Sequence, residues 1–337
     1  MKLIRAVVVL SLLLACATSS QAQSPAIQQF QNNQLNLQQQ QLPAPGLRAG
    51  TNAPELYPGE NADVGPQRIL RDNPRPKYFD VFLDTEIFYS DNANYASVPS
   101  DKIGSFIFVN TVQGAIVIPP ITAGPGKFEP TIGVSSQWYN YENGAMSPFN
   151  FDALTAFAGT KYSTRYWAIY IGANFTRIAN QSDGNETYHE ALPQLSVTRY
   201  IPVNDYLLVA IGDQVDYHFT RVPPTTFGFG TNSFSTATDL NNRFDNILYV
   251  TVNIQATKHL AIQPYYRFQY SYYPTDSEGQ GCRRDLLNAA GLMVIYTFTD
   301  YLSVKTYFNY NNKVSNDPAG GYDEMNGGVG ASLDLKF

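Results

Sequence analysis

Charge is scarce in this chain. Lys, Arg, Asp and Glu make up 15% of its 337 residues, against about 25% in ordinary soluble domains. Long apolar runs are missing as well. After residue 16 no stretch reaches the roughly 20 consecutive apolar residues that a membrane-crossing helix needs, and mean hydropathy is negative. A helical membrane protein is therefore excluded. Cysteine is limited to Cys16 and Cys282, too few for a structural zinc site. Only three histidines occur, and there is no phosphate-binding glycine loop or His/Cys metal motif, so no cofactor is expected. The net charge of −6 argues against a nucleic-acid partner, which would favour a basic face. Aromatic residues, by contrast, reach 14%, with 24 Tyr and 20 Phe. A β-barrel has this composition, because alternation along its strands hides apolar residues from any hydropathy average.

The first 22 residues read as a signal peptide. Lys2 and Arg5 form a basic start, Ala6 to Ala15 a short apolar stretch, and Ser20-Gln21-Ala22 a small-residue cleavage site before Gln23. Cleavage there leaves Cys282 as the sole cysteine and no intramolecular disulfide. The alternative is lipidation, since Leu13-Leu14-Ala15-Cys16 resembles a lipobox in which Cys16 is acylated. Residues 23–76 are rich first in Gln and Asn, then in Pro and Gly. Such composition buries little apolar surface and is expected to stay extended or disordered, as a periplasmic linker. A partner-binding helix and a segment that plugs the barrel are the sharper alternatives. Phe30, Leu35 and Leu37 keep helical spacing poorly, which counts against the helix.

From residue 77 the text changes to segments that alternate apolar with polar, the period-2 pattern of strands with two unlike faces. In 301–310, Leu302, Val304, Phe308 and Tyr310 share one face while Ser303, Lys305, Tyr307 and Asn309 share the other. Twelve such segments are expected: 78–90, 105–118, 127–141, 150–162, 165–178, 187–201, 206–220, 243–256, 259–273, 286–298, 301–312 and 326–337. Tight connections such as Ser163-Thr164 and Thr299-Asp300 alternate with long ones such as 221–242. That rhythm predicts an all-β, up-and-down antiparallel transmembrane β-barrel over 77–337, with short turns on one rim, long loops on the other and both ends on the short-turn side. A soluble antiparallel sandwich would reproduce part of it.

The last strand sharpens the choice. Val329, Ala331, Leu333, Leu335 and Phe337 fall on one face, and the chain stops on an aromatic residue. Gly330, Leu333, Leu335 and Phe337 resemble the C-terminal β-signal of bacterial outer-membrane barrels. That resemblance implies a cell outer membrane location, with membrane lipids and the outer-membrane assembly machinery as partners. Physics agrees, since in hydrocarbon every backbone N–H and C=O needs a partner and a sheet must close. Aromatics near strand ends (Phe88 and Tyr89, Tyr139 and Tyr141, Tyr270, Tyr272 and Tyr273) suggest girdles at the membrane interface. Pro193 and Pro264 inside strands suggest local bulges. So does Asp213, which falls on an apolar face unless it lies near a rim.

The polar face is expected to line the lumen, with Asp80, Asp84 and Glu86 from the first strand and Arg267, Lys305, Asp334 and Lys336 from the late ones. Mixed charges in a water-filled lumen steer ions, which points to a channel for small hydrophilic solutes. The same charges would also suit a narrow, closed interior. The loop at 221–242 would constrict it further, and inward Tyr170, Tyr249, Tyr265 and Tyr307 would offer stacking for sugars or simply fill space. An enzyme is the alternative, because some twelve-strand outer-membrane barrels are lipid hydrolases. If the turn pairs Val197 with Ile211, Glu190 falls opposite His218 on the inner face and the two would form its acid–base pair, but no serine is placed beside them. A structural or adhesive barrel is the third reading.

Overall fold

The computed structural model describes residues 24–40, 77–221, 241–276, 282–317 and 320–337, with side chains throughout except at 24–25, 35–40 and 275–276. The leader with Cys16, the stretch 41–76 and the middle of the loop at 221–242 lie outside the described residues.

Twelve antiparallel strands close into a barrel, and one short strand is added to it. In chain order the strands are β1 (Phe79–Ser90), β2 (Ser105–Val117), the short β3 (Ile121–Ala123), β4 (Gly126–Tyr141), β5 (Phe151–Ser163), β6 (Trp167–Asn180) and β7 (Glu186–Asn204). There follow β8 (Leu207–Arg221), β9 (Arg243–Gln255), β10 (Leu260–Asp276), β11 (Cys282–Thr299), β12 (Leu302–Ser315) and β13 (Tyr322–Lys336). Each pairs with its sequence neighbour, β2 skips β3 to pair with β4, and β13 returns to β1. The ring closes in register from Asp80↔Lys336 to Ser90↔Asn326. The chain end is tied in, because Phe337 O accepts from Tyr78 N at 2.6 Å. Closure leaves none of the twelve long strands with an unpaired edge, which is what hydrocarbon demands of a spanning structure, and only the short β3 ends the sheet, on β4.

Alternation decides which side chains face outward. Ile87, Phe108, Val134, Leu154, Ile171 and Phe308 are exposed on the outer surface, where a soluble sheet would place polar groups. Aromatic pairs flank this band. Tyr89 meets Phe106 edge-on near the long loops, and Tyr296 meets Phe298 near the short turns. Strict period 2 corrects the girdle expectation, since adjacent aromatics point opposite ways. Tyr89, Tyr270 and Tyr272 face out, whereas Phe88, Tyr139, Tyr141 and Tyr273 are buried inside.

The expected bulges at Pro193 and Pro264 do not form. The ladders skip pairs beside each proline on one side, yet register is unchanged across both, because a missing donor need not insert a residue. Asp213 is not bulged either. It sits opposite Val197 and Leu248 on the outer face, where the Asn246 side-chain amide donates to it at 2.7 Å.

Large inward rings fit because glycines face them. A Cβ on Gly212 would lie 2.1 Å from Tyr249 Cζ, and one on Gly172 2.6 Å from Tyr170 Cζ. The rings therefore lie flat on the wall, an aromatic cover over glycine that helps pin register. Tyr249 is fixed further by Thr198 at 2.6 Å. Gly212→Val should lower barrel stability by about 1–3 kcal/mol in urea titrations from lipid vesicles, with part of the loss recovered by adding Tyr249→Ala.

Residues 24–40 depart from the extended reading. They form helix α1 (Ser24–Gln40). Ser24-Pro25 suits a helix start, since Pro in the first turn gives up no helical hydrogen bond, and the glutamines that follow are adequate helix formers.

Candidate functional site

The inner wall is polar in layers, and its best-defined group sits at the closing seam. Lys305 on β12 lies 3.0 Å from Asp84 and also contacts Glu86, both on β1. β13 runs between them, and Lys305 crosses it at Gly330, where a Cβ would come within 2.8 Å of Lys305 Cε. Ser332 donates to Asp84 at 2.5 Å, and Tyr307 to Glu86 at 3.2 Å. Asp84, Glu86 and Lys305 are all buried. Asp80, Asp334 and Lys336 form a separate, more open group at the short-turn rim, with Lys336 2.9 Å from Asp334 and 3.8 Å from Asp80. Arg267 belongs to neither group. Of the last-strand residues, Gly330 faces inward, while Leu333, Leu335 and Phe337 alternate outward.

Helix α1 lies inside the barrel. Gln29 accepts from Tyr95 Oη at 2.7 Å, and Asn32 donates to the same hydroxyl at 3.4 Å. Tyr95 belongs to the long connection 91–104. Asn33 donates to Tyr139 Oη at 3.2 Å and Gln34 to Gln137 at 2.9 Å, both on β4. The start of α1 thus points to the long-loop rim, and its later residues head back toward the short turns. Tyr95 has φ 52°, a left-handed conformation that costs a non-glycine residue roughly 1–2 kcal/mol. Its ring packs edge-on against Tyr322 at 4.7 Å. This strained residue grips the helix.

The wall is shaped for α1. Most inward positions are polar, but one spot near the long loops carries Ile107, Val109, Ala153, Ile178 and Met293, and it receives Ile27 and Phe30 of the helix. Phe30 is 3% exposed. Burying these two side chains contributes roughly 1.5–3 kcal/mol each. The helix carries no charged residue.

Below the helix lies a cavity of about 1310 Å³, reached from the short-turn rim and lined by Gln34, Gln214, Gln263, Arg267 and Lys305 among others. Tyr170 and Tyr249 line it too but lie against the wall, while Tyr265 and Tyr307 are hydrogen-bonded to Asn309 and Glu86. The space-filling reading of these four tyrosines fits better than a stacking track.

Glu190 and His218 do meet, at 2.8 Å, although the register is two residues from the expected one, with Glu190 opposite Thr220 and His218 reaching it diagonally. The other imidazole nitrogen faces Asp245 at 3.0 Å and Arg243 at 3.3 Å. Tyr188 donates to Glu190 at 2.7 Å, and Arg243 is paired with Asp245 at 2.9 Å. Both ring nitrogens are thus occupied, and among the described residues no serine or cysteine bonds to His218. The geometry suits a buried ionic strut better than a proton-transfer pair. Asp245 and Arg243 were legible in principle. They continue the inward face of Tyr249, Thr251 and Asn253 back toward the loop.

No family model and no curated protein sequence matches the chain. Solved structures are similar at the level of the barrel. An outer membrane channel from Pseudomonas putida F1 is 9% identical with a TM-score of 0.48, covering 77% of this chain and 96% of that one. The β domain of the Bordetella autotransporter BrkA is 11% identical with a TM-score of 0.44, covering 75% and 98%. The KdgM porin is 11% identical with a TM-score of 0.39, covering 75% and 98%. Channels and autotransporter barrels stand side by side among these neighbours, and nothing about cargo is taken from them.

Proposed function

We propose that this chain is an outer-membrane channel for small hydrophilic solutes, closed in the described conformation by its own N-terminal helix. The observation that carries the reading is the division of the lumen. A polar cavity of about 1310 Å³ runs from one rim to α1, and the barrier above it is a helix outside the hydrogen-bonded wall. A barrel filled only for strength would be closed by wall side chains. Here closure depends on amide hydrogen bonds and two apolar side chains, a set that can be released without unfolding a strand.

The signal-peptide pattern, the apolar outer surface and the terminal residues Gly330, Leu333, Leu335 and Phe337 support delivery to the outer membrane, with membrane lipids and the assembly machinery as partners. In that setting the short turns and both chain ends face the periplasm, so the cavity is a periplasmic vestibule and α1 seals it from the long extracellular loops. No catalytic role is assigned to Glu190 or His218. The test is planar-bilayer recording of the full-length protein beside a variant whose helix is expelled. Stepwise currents that grow on expulsion support the channel, and a folded barrel that never conducts contradicts it.

A further inference from the structure

Arg267 is the charge in the lumen with least support. It is 2% exposed. Its Nη2 donates to Asn32 Oδ1 of the helix at 3.3 Å, while Nε and Nη1 are buried with no hydrogen-bond partner among the described residues. No carboxylate lies within ion-pair reach of it among those residues. Other buried cations differ, since Lys305, Arg243 and Lys313 each face a carboxylate. A buried cation normally needs a paired anion and full hydrogen bonding, and one neutral amide supplies neither.

The cavity under the helix reaches Arg267 from the short-turn side. Charged residues lining that cavity are Lys77, Lys161, Lys258, Arg267, Lys305 and Lys336 against Asp80, Glu129, Asp300 and Asp334, six cations to four carboxylates, in a chain whose overall charge is −6. At the rim Lys161 pairs with Glu129 at 2.9 Å and Lys336 with Asp334 at 2.9 Å, and deeper Lys305 is held by Asp84 and Glu86. Arg267 is the deep cation that no carboxylate faces among the described residues.

We propose that Arg267 is a binding site for a small oxyanion, a carboxylate or phosphate group, and that occupancy of this site releases the helix. A guanidinium binds such groups through two parallel N–H donors. Its two-pronged faces are Nε with Nη2 and Nη1 with Nη2, so either one requires Nη2. Nη2 carries two hydrogens, one for each face, and Asn32 holds one of them; an anion bound on that face takes the hydrogen from Asn32. There the solute and the helix compete for one N–H, and the anion supplies the charge the helix lacks. This rests on the channel reading and adds its solute class and its trigger.

The test uses the full-length protein in vesicles, with inorganic phosphate as the probe and chloride at matched ionic strength as the control. Helix release is read by thiol labelling of Gln31→Cys in a Cys282→Ser background, and opening by bilayer recording. Phosphate should accelerate labelling and raise the open fraction. Arg267→Gln should abolish both responses. Asn32→Asp gives the guanidinium a carboxylate from the helix and should raise the phosphate needed by about tenfold or more. An undiminished phosphate response in Arg267→Gln, or an Asn32→Asp variant that opens as readily as wild type, overturns the proposal. If phosphate changes labelling through Arg267 but no variant conducts, the anion site stands and the channel reading falls. If the helix-expelled protein conducts and phosphate has no effect on the wild type, the reverse holds.

Discussion

Substituting Ile27→Glu and Phe30→Glu together should turn a mostly closed barrel into one that conducts steadily. Both side chains sit in the apolar spot on the inner wall. Their loss forfeits roughly 1.5–3 kcal/mol each of burial, and each carboxylate would pay a further desolvation penalty of roughly several kcal/mol if it stayed. The sum exceeds the approximately 5.5 kcal/mol that carries a two-state equilibrium from 1:99 to 99:1. Averaged current through single molecules in planar bilayers should rise by roughly tenfold or more. The strands are untouched, so resistance of the barrel to unfolding in detergent should stay near wild type. Unchanged current with a demonstrably expelled helix would mean that the wall itself closes the lumen.

The second large effect concerns the seam. Lys305→Met removes the cation that spans β13 and leaves Asp84 and Glu86 buried side by side. Breaking a buried ion pair by removing one partner costs about 3–5 kcal/mol. The loss falls where the first and last strands join, so urea unfolding from lipid vesicles should show both lower stability and faster opening of the β1–β13 pair. Replacing all three charges, as Asp84→Asn, Glu86→Gln and Lys305→Met, should restore most of the loss, because no unpaired charge then remains. If Lys305→Met alone is neutral, the three groups are not the strut described.

Strand positions were legible because the two solvents of a barrel wall, hydrocarbon outside and water or polar groups inside, impose period 2 on every crossing. Lys305 and Tyr307 could be assigned to the inner face from sequence, and they lie there. Their partners could not be named, because the ladder offset between β1 and β13 depends on how the ring closes. The register sets Asp80 opposite Lys336 and Asp84 opposite Ser332, with Lys305 reaching Asp84 across β13. Helix α1 was hidden for a different reason. A helix packed in a polar lumen is surrounded on all sides, so it needs no apolar stripe, and Gln29, Asn32 and Asn33 are as buried as Ile27. Ile27 and Phe30 are spaced three apart, but the flanking glutamines and asparagines gave the segment the composition of a disordered tail. Pairing Val197 with Ile211 sets Glu190 opposite His218; the ladder pairs Val197 with Asp213, two residues away, and the two side chains still meet because such a shift returns each to the same face.

The most direct test is to fasten the helix and record. Gln34→Cys and Gln137→Cys, in a Cys282→Ser background, place thiols on the two side-chain positions whose amides now meet at 2.9 Å, and a short bis-methanethiosulfonate can bridge them through two reducible disulfides, losing a sulfinate at each end. Bridged molecules in planar bilayers should stay silent, and stepwise openings should begin when reductant is added to the same membrane. Equal currents before and after reduction would contradict the claim that α1 closes this channel.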